Sequence, residues 1–307
     1  MKRSVHTPTA RTRPPKHPRL QLFLRRLKAA LLILLVLGGL GFGGGCLLVR
    51  RLEHGALFHP VADLPSTPYA LNLVHQNVNF RAEDGTALHG WWIPASYPKA
   101  NVVLFHGNGG NIAYNLALVP YFHEKRFNVF LFDYRGYGRS EGTPTESGLY
   151  LDGLAAFEVA QKMNKFARPR LPLLFYAHSL GVAVALHTAA TAPVRPDALI
   201  LDSGFHSLTN VVRLLYPNLP VERLLSSKFP AAESAAALEG VPKLFLHSTA
   251  DETVPFATGR LLASEAAPPK RIVVLDGAHN DHAWLLPDTP ARAQVDAFID
   301  DVLAPKE

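Results

Sequence analysis

The amino-acid sequence predicts an α/β fold in which a mostly parallel central sheet is covered by helices on both faces. Six short apolar runs follow one another along the chain, and helix candidates separate most of them. The runs are continuous rather than alternating, which is typical of strands buried on both faces of a parallel sheet. The predicted strands are Val102–Phe105, Val129–Phe132, Leu173–Tyr176, Leu199–Leu201, Leu244–Leu246 and Ile272–Leu275. The helix candidates are Glu146–Lys162, Val182–Thr191, Pro255–Glu265 and Arg292–Val302.

Two further features complete the predicted domain, which covers residues 76–307. Asn77–Pro94 is typical of a β-hairpin, because Asp84-Gly85 favours a tight turn between two runs of β-forming residues. Between two predicted strands, residues 206–238 have helical tendency and contain three prolines. An insertion at this place would lie over the carboxyl ends of the strands, where open α/β sheets bind ligands. We therefore expect a small helical cap there.

Before this domain, charge and hydropathy predict a basic tail (1–28), a transmembrane helix (29–49) and a linker (50–75). The tail holds nine basic residues and no acidic one, which leaves 22 basic against 25 acidic residues in the rest. Residues 29–49 carry no charge, and as a helix they would extend over about 31 Å, close to the hydrocarbon thickness of a bilayer. The basic excess before this helix predicts a cytoplasmic N-terminus and an extracytoplasmic domain, periplasmic in a Gram-negative bacterium.

Other interpretations of the N-terminal region stay open. The apolar run can be a cleaved signal peptide, although it is longer than the apolar core of most such peptides. Cys46 can be a lipidation site, although the bulky aliphatic residue expected three positions before it is absent from the sequence. The tail can be a nucleic-acid arm, but its place beside an apolar stretch favours orientation of a membrane helix, so we predict no nucleic-acid partner. A single cysteine excludes an intramolecular disulfide and a cysteine-built metal cluster.

Ser179 is the predicted nucleophile. It lies between the strand Leu173–Tyr176 and a helix rich in small residues, within the sequence AHSLG. This strand-turn-helix arrangement is that of a nucleophile elbow, which presents a serine oxygen at the head of a helix. Ala177 replaces the first glycine of the usual G-x-S-x-G pattern, and a serine at such a place can also be a simple helix N-cap. The prediction therefore depends on partners elsewhere in the chain.

The partners are predicted at His279 and Asp251. A serine hydroxyl is a weak nucleophile at neutral pH and needs a base, which needs an acceptor that fixes its tautomer. Asp251 and His279 each follow a predicted strand, and the chain order Ser, Asp, His is that of this kind of site. We therefore assign His279 as general base and Asp251 as its acceptor. The open alternatives are Glu252, Asp202 and His282.

The oxyanion hole is predicted from the main-chain amides of Leu180 and Asn108. Leu180 directly follows the nucleophile, and Asn108 lies in HGNGGN at residues 106–111, which we call the oxyanion loop. Glycines in such a loop permit backbone amides to turn toward a bound carbonyl. Gly109 is the alternative to Asn108, and a plain glycine-rich turn before a helix also stays open. A phosphate-binding loop is not favoured, because no Lys-Ser or Lys-Thr pair follows the glycines.

Five motifs in this order resemble those of the membrane-anchored α/β-hydrolase-domain proteins of the Bem46-like and lysophospholipase-like type. They are HGNGGN (106–111), DYRGYGRSEG (133–142), SLG (179–181), DETVP (251–255) and HND (279–281). The resemblance covers residues 50–305, includes LFHP at 57–60, and departs from the family pattern at Ala177 and Gly110. It implies an α/β-hydrolase fold, a triad of Ser179, Asp251 and His279, no cofactor, and a structural role for the loop 133–142.

Together these features predict a serine hydrolase that cleaves carboxylic esters through an acyl-enzyme. The resemblance and the predicted membrane tether favour lipid or other acyl esters as substrates, of the lysophospholipase, monoacylglycerol lipase or esterase type. Thioester depalmitoylation and peptide hydrolysis are the alternatives within the same chemistry. A noncatalytic, membrane-bound binding module on a hydrolase scaffold is the alternative outside it. No metal or cofactor is expected.

Overall fold

The computed structural model describes residues 42–165, 170–218 and 225–305. The chain divides into two compact units, Met1–Leu52 and Glu53–Glu307. The predicted basic tail and residues 29–41 of the predicted transmembrane helix lie outside the described residues. Helix α1 covers Phe42–Leu57. Among the helices that the structure describes, none combines the length and apolar character needed to cross a bilayer.

An eight-stranded sheet forms the centre of the second unit. Its strands are β2 (Gln76–Arg81), β3 (Ala87–Ile93), β4 (Ala100–Phe105), β6 (Phe127–Asp133), β7 (Leu173–His178), β8 (Ala198–Asp202), β9 (Lys243–Ser248) and β10 (Lys270–Leu275), while β1 (His59–Pro60) and β5 (Gly109–Gly110) form a separate pair. The strand order is β10-β9-β8-β7-β4-β6-β3-β2. Neighbouring strands are parallel except in the pairs β2–β3 and β3–β6. The predicted α/β class, the six predicted strands and the hairpin are therefore confirmed.

Helices cover both faces of this sheet. They are α2 (Val119–Glu124), α3 (Glu146–Asn164), α4 (Leu180–Thr191), α5 (Leu208–Leu215), α6 (Ala231–Ala236), α7 (Phe256–Glu265) and α8 (Pro290–Leu303). Buried side chains of α3, α4, α6 and α7 belong to the apolar cluster on one face, and those of α2 and α8 to the cluster on the other. In β4, Val103 and Phe105 face the first cluster while Val102 and Leu104 face the second. This double burial is why the strands are continuous apolar runs.

The same topology brings the functional loops to one edge. The five neighbouring parallel strands β4, β7, β8, β9 and β10 end at this edge, and the loops after them begin there. The loop after β8 contains the described helices of the predicted cap range, α5 and α6. The range 50–75, predicted as a linker, contains the end of α1, β1 and a short 3-10 helix at Pro68–Leu71. Strand β1 pairs in parallel with β5, inside the predicted oxyanion loop.

Candidate active site

Ser179 lies in a strained turn between β7 and α4. Its φ of 54° and ψ of −120° are values that residues with a side chain rarely adopt. Its main-chain N–H donates to the carbonyl of Asp202 over 2.9 Å. Its hydroxyl caps none of the described amides of the helix. Gly181 permits the turn, because a Cβ there would lie 2.3 Å from the carbonyl oxygen of Phe105. The hydroxyl is thus presented at the head of the helix rather than used as an N-cap.

This hydroxyl contacts the ring of His279, which in turn contacts the carboxylate of Asp251. The Oγ of Ser179 lies 2.9 Å from Nε2 of His279, and Nδ1 of His279 lies 2.7 Å from Oδ2 of Asp251. Because a carboxylate only accepts hydrogen bonds, Nδ1 carries the ring proton and Nε2 accepts from the serine hydroxyl. Ser179 and His279 are both buried. The structure therefore brings the three residues together in the geometry of an activated serine.

The Asp251 carboxylate is held as an anion. Its Oδ1 accepts from the amides of Thr253 (2.9 Å) and Val254 (2.7 Å). Burial opposes ionisation, but hydrogen bonds from His247 and His279 outweigh it and hold the pKa of Asp251 well below its usual range. A fixed negative charge at this place orients the imidazole and holds the ring proton on Nδ1.

The alternative residues occupy other positions. Oε2 of Glu252 accepts from the main-chain N–H of His279 over 3.1 Å. Glu252 therefore contacts the main chain of His279, while Asp251 contacts its ring. His282 and Asp202 contact each other, with Nδ1 of the histidine 3.2 Å from Oδ2 of the aspartate. The structure thus separates the predicted Ser179, His279 and Asp251 set from a second His-Asp pair.

Asp202 is the centre of a buried network beside the first set. Its Oδ2 accepts from the hydroxyl of Tyr176 (2.7 Å), from Nε1 of Trp284 (3.0 Å) and from Nδ1 of His282 (3.2 Å). Burial opposes ionisation of Asp202, but the hydrogen bond from His282 and the nearby imidazoles outweigh it and hold its pKa well below the usual range. The network therefore ties the end of β8 to the loop that carries His279.

His178 makes a second tie to this loop. Its Nε2 donates to the main-chain carbonyl of His279 over 3.1 Å. Burial lowers the pKa of His178 to about 3, so the ring is neutral at physiological pH. Ligand atoms of His178, Asp202 and His282 lie within 4.8 Å of one another, a spacing compatible with a metal ion. However, Oδ2 of Asp202 already accepts three hydrogen bonds, and we interpret the cluster as a hydrogen-bonded support.

The sequence alone did not reveal this support. From the sequence, Asp202 and His282 were only alternatives to Asp251 and His279, and His178 was only the residue before the nucleophile. The network joins the ends of three separate strands, so no sequence spacing marks it. The tryptophan in HAWLL, two residues after His282, was the one available signal, because a buried indole N–H usually finds a partner.

The two predicted oxyanion-hole amides belong to Leu180, which directly follows the serine, and to Asn108, which directly follows Gly107. Leu180 is the first residue of α4, so its N–H has no acceptor within the helix. Gly107 lies against the elbow, since a Cβ built there would be 3.5 Å from Cβ of Ser179. Its carbonyl accepts from Nδ1 of His106 over 2.7 Å, which fixes the peptide plane that carries the N–H of Asn108. Among the described residues, no acceptor for the Asn108 N–H is found.

Known proteins are similar in sequence to this chain over most of its length. The chain is 35% identical over 222 residues to YfhR of Salmonella typhi, covering 67% of the chain and 75% of YfhR. It is 30% identical over 253 residues to the α/β-hydrolase domain-containing protein WAV2 of Arabidopsis thaliana, covering 74% of the chain and 81% of WAV2. The chain belongs to the α/β-hydrolase family. It is also 29% identical over 195 residues to Protein bem46 of Schizosaccharomyces pombe, covering 62% of the chain and 64% of that protein.

A family model and solved structures agree with this assignment. The model described as "Serine aminopeptidase, S33" matches residues 96–233 of this α/β-hydrolase. That match includes the oxyanion loop and Ser179 but ends before Asp251 and His279. The esterase Pf2001 of Pyrococcus furiosus superposes with a TM-score of 0.64 at 17% identity, covering 80% of the chain and 97% of the esterase. An acetyl xylan esterase from Paenibacillus sp. R4 gives a TM-score of 0.59 at 20% identity, with coverages of 84% and 92%.

Proposed function

We propose that this α/β-hydrolase is a serine esterase that cleaves carboxylic esters through an acyl-enzyme. One observation carries the proposal: the continuous chain of contacts from Ser179 Oγ to His279 Nε2 (2.9 Å) and from His279 Nδ1 to Asp251 Oδ2 (2.7 Å). The membership of the family and the fold shared with solved esterases support it. The triad roles that the sequence predicts are therefore the core of the proposal.

Each residue has a defined part in the reaction. Ser179 Oγ attacks the acyl carbon while His279 Nε2 takes its proton, and the N–H groups of Leu180 and Asn108 stabilise the oxyanion. The imidazolium then gives this proton to the leaving alcohol, which departs and leaves an ester on Ser179. Water attacks that ester with His279 again as base, and the acid is released. The anionic Asp251 stabilises the imidazolium in both halves of the cycle.

Labelling by a fluorophosphonate probe tests the nucleophile. The full chain should react at Ser179, and Ser179→Ala should abolish labelling and ester hydrolysis. Ser203→Ala is a matched control, because Ser203 is also buried at a strand end with a φ of 54°. Its hydroxyl donates to Asp202 rather than to a histidine, so this variant should still be labelled. Labelling that survives in Ser179→Ala would refute the assignment.

The substrate proposal is an acyl ester, with lipid esters favoured by the predicted tether. Hydrolysis of p-nitrophenyl esters of graded chain length measures the preference, and a sharp optimum at short chains would contradict the lipid part. The family model's description keeps peptide hydrolysis as a second candidate. Aminoacyl p-nitroanilides test it in the same assay, and turnover of these faster than of all esters would replace the esterase proposal.

We further propose that residues 29–49 anchor the protein in the membrane with residues 53–307 outside the cytoplasm. The uncharged run and the basic tail before it support this topology. Membrane fractions washed with alkaline carbonate should retain the protein, and external protease should degrade its C-terminal domain. Release of the full chain by the wash would contradict the anchor.

A further inference from the structure

Residues 57–63, which we call the entry segment, are hydrogen-bonded to the oxyanion loop. Both main chains and two asparagine side chains take part. The contacts are His59 N–H to Asn108 O (2.9 Å), Val61 N–H to Gly110 O (3.0 Å), Asn108 Nδ2 to Leu57 O (2.8 Å), and Asn111 Nδ2 to the carbonyls of Val61 (2.8 Å) and Asp63 (2.7 Å). The segment lies within the range 50–75 that the sequence predicts as a linker, yet every one of these bonds is made to a loop predicted to hold an oxyanion.

The entry segment is itself fixed to the body of the domain. Phe58 is 5% exposed and belongs to the same apolar cluster as α3, α4, α6 and α7, where its ring and that of Phe229 pack edge-on. The carbonyl of Val61 also accepts from the N–H of Gly138 over 3.0 Å. The segment therefore joins the apolar core and the loop after β6 to the oxyanion loop, and does not move freely over the surface.

These contacts restrict Asn108 on several sides. Its side-chain amide donates to the entry segment, and its carbonyl accepts from His59 N–H and from the hydroxyl of Tyr137 (2.8 Å). The preceding peptide plane is fixed by His106, as described above. With its carbonyl, its side chain and the plane before it all bonded, Asn108 has a defined direction for its remaining N–H. An oxyanion hole needs that direction to be set before the charge develops.

We propose that the entry segment is a positioning element of the oxyanion hole, acting through Asn108 and Asn111. This inference rests on the proposed esterase function. It assigns a catalytic consequence to residues that touch neither the substrate nor the triad. Transition-state stabilisation depends on donor placement, and a displacement of about 1 Å can lower a rate by about 10²-fold. Loss of the contacts should therefore lower kcat more than it alters KM.

Asn111→Asp in the full chain tests the proposal. The Oδ1 of Asn111 accepts from the N–H of Ala113 (3.0 Å), and aspartate keeps this bond. The new carboxylate cannot donate to Val61 and Asp63, so it faces two carbonyl oxygens. We expect kcat for a p-nitrophenyl ester to fall by about 10- to 100-fold with KM almost unchanged, because the defect lies in the transition state. The affinity for a boronic acid that mimics the tetrahedral intermediate should fall by a similar factor.

Asn164→Asp is the matched control. The side chain of Asn164 is also buried, donates from Nδ2 to the carbonyl of Leu171 (2.7 Å) and accepts from its N–H (3.2 Å), at the end of α3. The substitution removes the same kind of donor from a partly buried main-chain carbonyl away from the oxyanion loop. It should lower the unfolding temperature as Asn111→Asp does, but leave kcat and boronate affinity unchanged.

A second variant covers the case in which Asn111→Asp does not fold. Asn108→Leu removes the donor to Leu57 without adding charge and keeps the main-chain N–H. It should show the same fall in kcat and boronate affinity. Wild-type values of both quantities in Asn108→Leu, or values in Asn111→Asp that match Asn164→Asp, would overturn the proposal. Activity that persists in Ser179→Ala would instead overturn the esterase function on which it rests.

Discussion

The ring of His178 donates a hydrogen bond to the main-chain carbonyl of His279, so the residue before the proposed nucleophile holds the loop of the proposed base. The distance is 3.1 Å, and the two rings lie 5.0 Å apart. Asp202 supports the same loop by accepting hydrogen bonds from Trp284 and His282. Serine and histidine come from loops 100 residues apart, and these two ties fix their separation. The geometry of the pair therefore depends on residues outside the triad.

Asp202→Asn should loosen this loop. The amide replaces an oxygen that accepts from Tyr176, Trp284 and His282, and a buried donor left without an acceptor costs about 1–3 kcal/mol of unfolding free energy. We expect a loss of stability in this range, measured by urea unfolding, together with a lower kcat. Asp276→Asn is the control, because Asp276 is an exposed residue of the same kind. Equal stability of the two variants would contradict a structural role for Asp202.

The buried His178 should make stability depend on pH. Its folded-state pKa of about 3 lies below the ordinary value of 6.5, so between these values the unfolded chain binds a proton that the folded chain does not. Stability from this residue is therefore present above pH 6.5 and is lost as the pH falls, by up to about 1.4 kcal/mol per pH unit. His178→Gln keeps an Nε2 donor but does not titrate, and its unfolding free energy should fall less steeply between pH 6 and 4. Parallel curves would contradict the prediction.

Asp251→Asn should lower kcat far more than the corresponding change at the neighbouring carboxylate, Glu252→Gln. An amide no longer fixes the proton on Nδ1 of His279 or stabilises the imidazolium, and in a chymotrypsin-type protease the equivalent change lowers kcat by about 10⁴-fold. Glu252→Gln is the matched control, since its side-chain oxygen can still accept from the His279 N–H. Steady-state hydrolysis of a p-nitrophenyl ester measures both. A larger loss in the Glu252 variant would reverse the assignment.

Gly181→Ala should disrupt the elbow. The added Cβ would lie 2.3 Å from the Phe105 carbonyl oxygen and 2.6 Å from that of His106, so α4 must shift away from β4. Overpacking of this kind costs about 1–3 kcal/mol, and we expect a lower unfolding temperature and loss of fluorophosphonate labelling.

Ala177→Gly is the opposite change at the same motif, because it restores the usual first glycine. Ala177 is fully buried in β7, so the substitution should cost about 0.5–1 kcal/mol in stability. Labelling should persist, since the hydroxyl and its turn are unchanged. Normal labelling in Gly181→Ala with none in Ala177→Gly would contradict this account of the elbow.

The strands of the central sheet and their mostly parallel arrangement could be predicted from the sequence because they depend on the pattern of apolar residues. Strands buried on both faces are continuous apolar runs, so β4 and β6 to β10 were found, and parallel order then placed Ser179, Asp251 and His279 at one edge. Selection among neighbouring carboxylates was less certain, because Asp251 and Glu252 both contact His279 and differ only in which nitrogen they meet. The catalytic roles of these residues remain predictions.

Main-chain hydrogen bonds explain what the sequence did not reveal. Strands β1 and β5 have two residues each, too few for any period, and their pairing uses N–H and C=O groups that every residue except proline carries. The Asp202 network is similar, since it joins side chains from separate strand ends. Contacts of these kinds follow from the fold and cannot be inferred before it is known.

The bonds between residues 57–63 and 108–111 also limit how far this chain can be shortened. A version that starts at residue 76, the predicted domain boundary, would keep the whole eight-stranded sheet and the three triad side chains. It would lack Phe58 in the core, and the acceptors for Asn108 and Asn111 would be gone. Such a truncated enzyme should fold yet turn over poorly, whereas one that starts at Glu53 should retain full turnover. Low activity of a preparation without the anchor would then be caused by the position of the truncation, and not by a need for lipid.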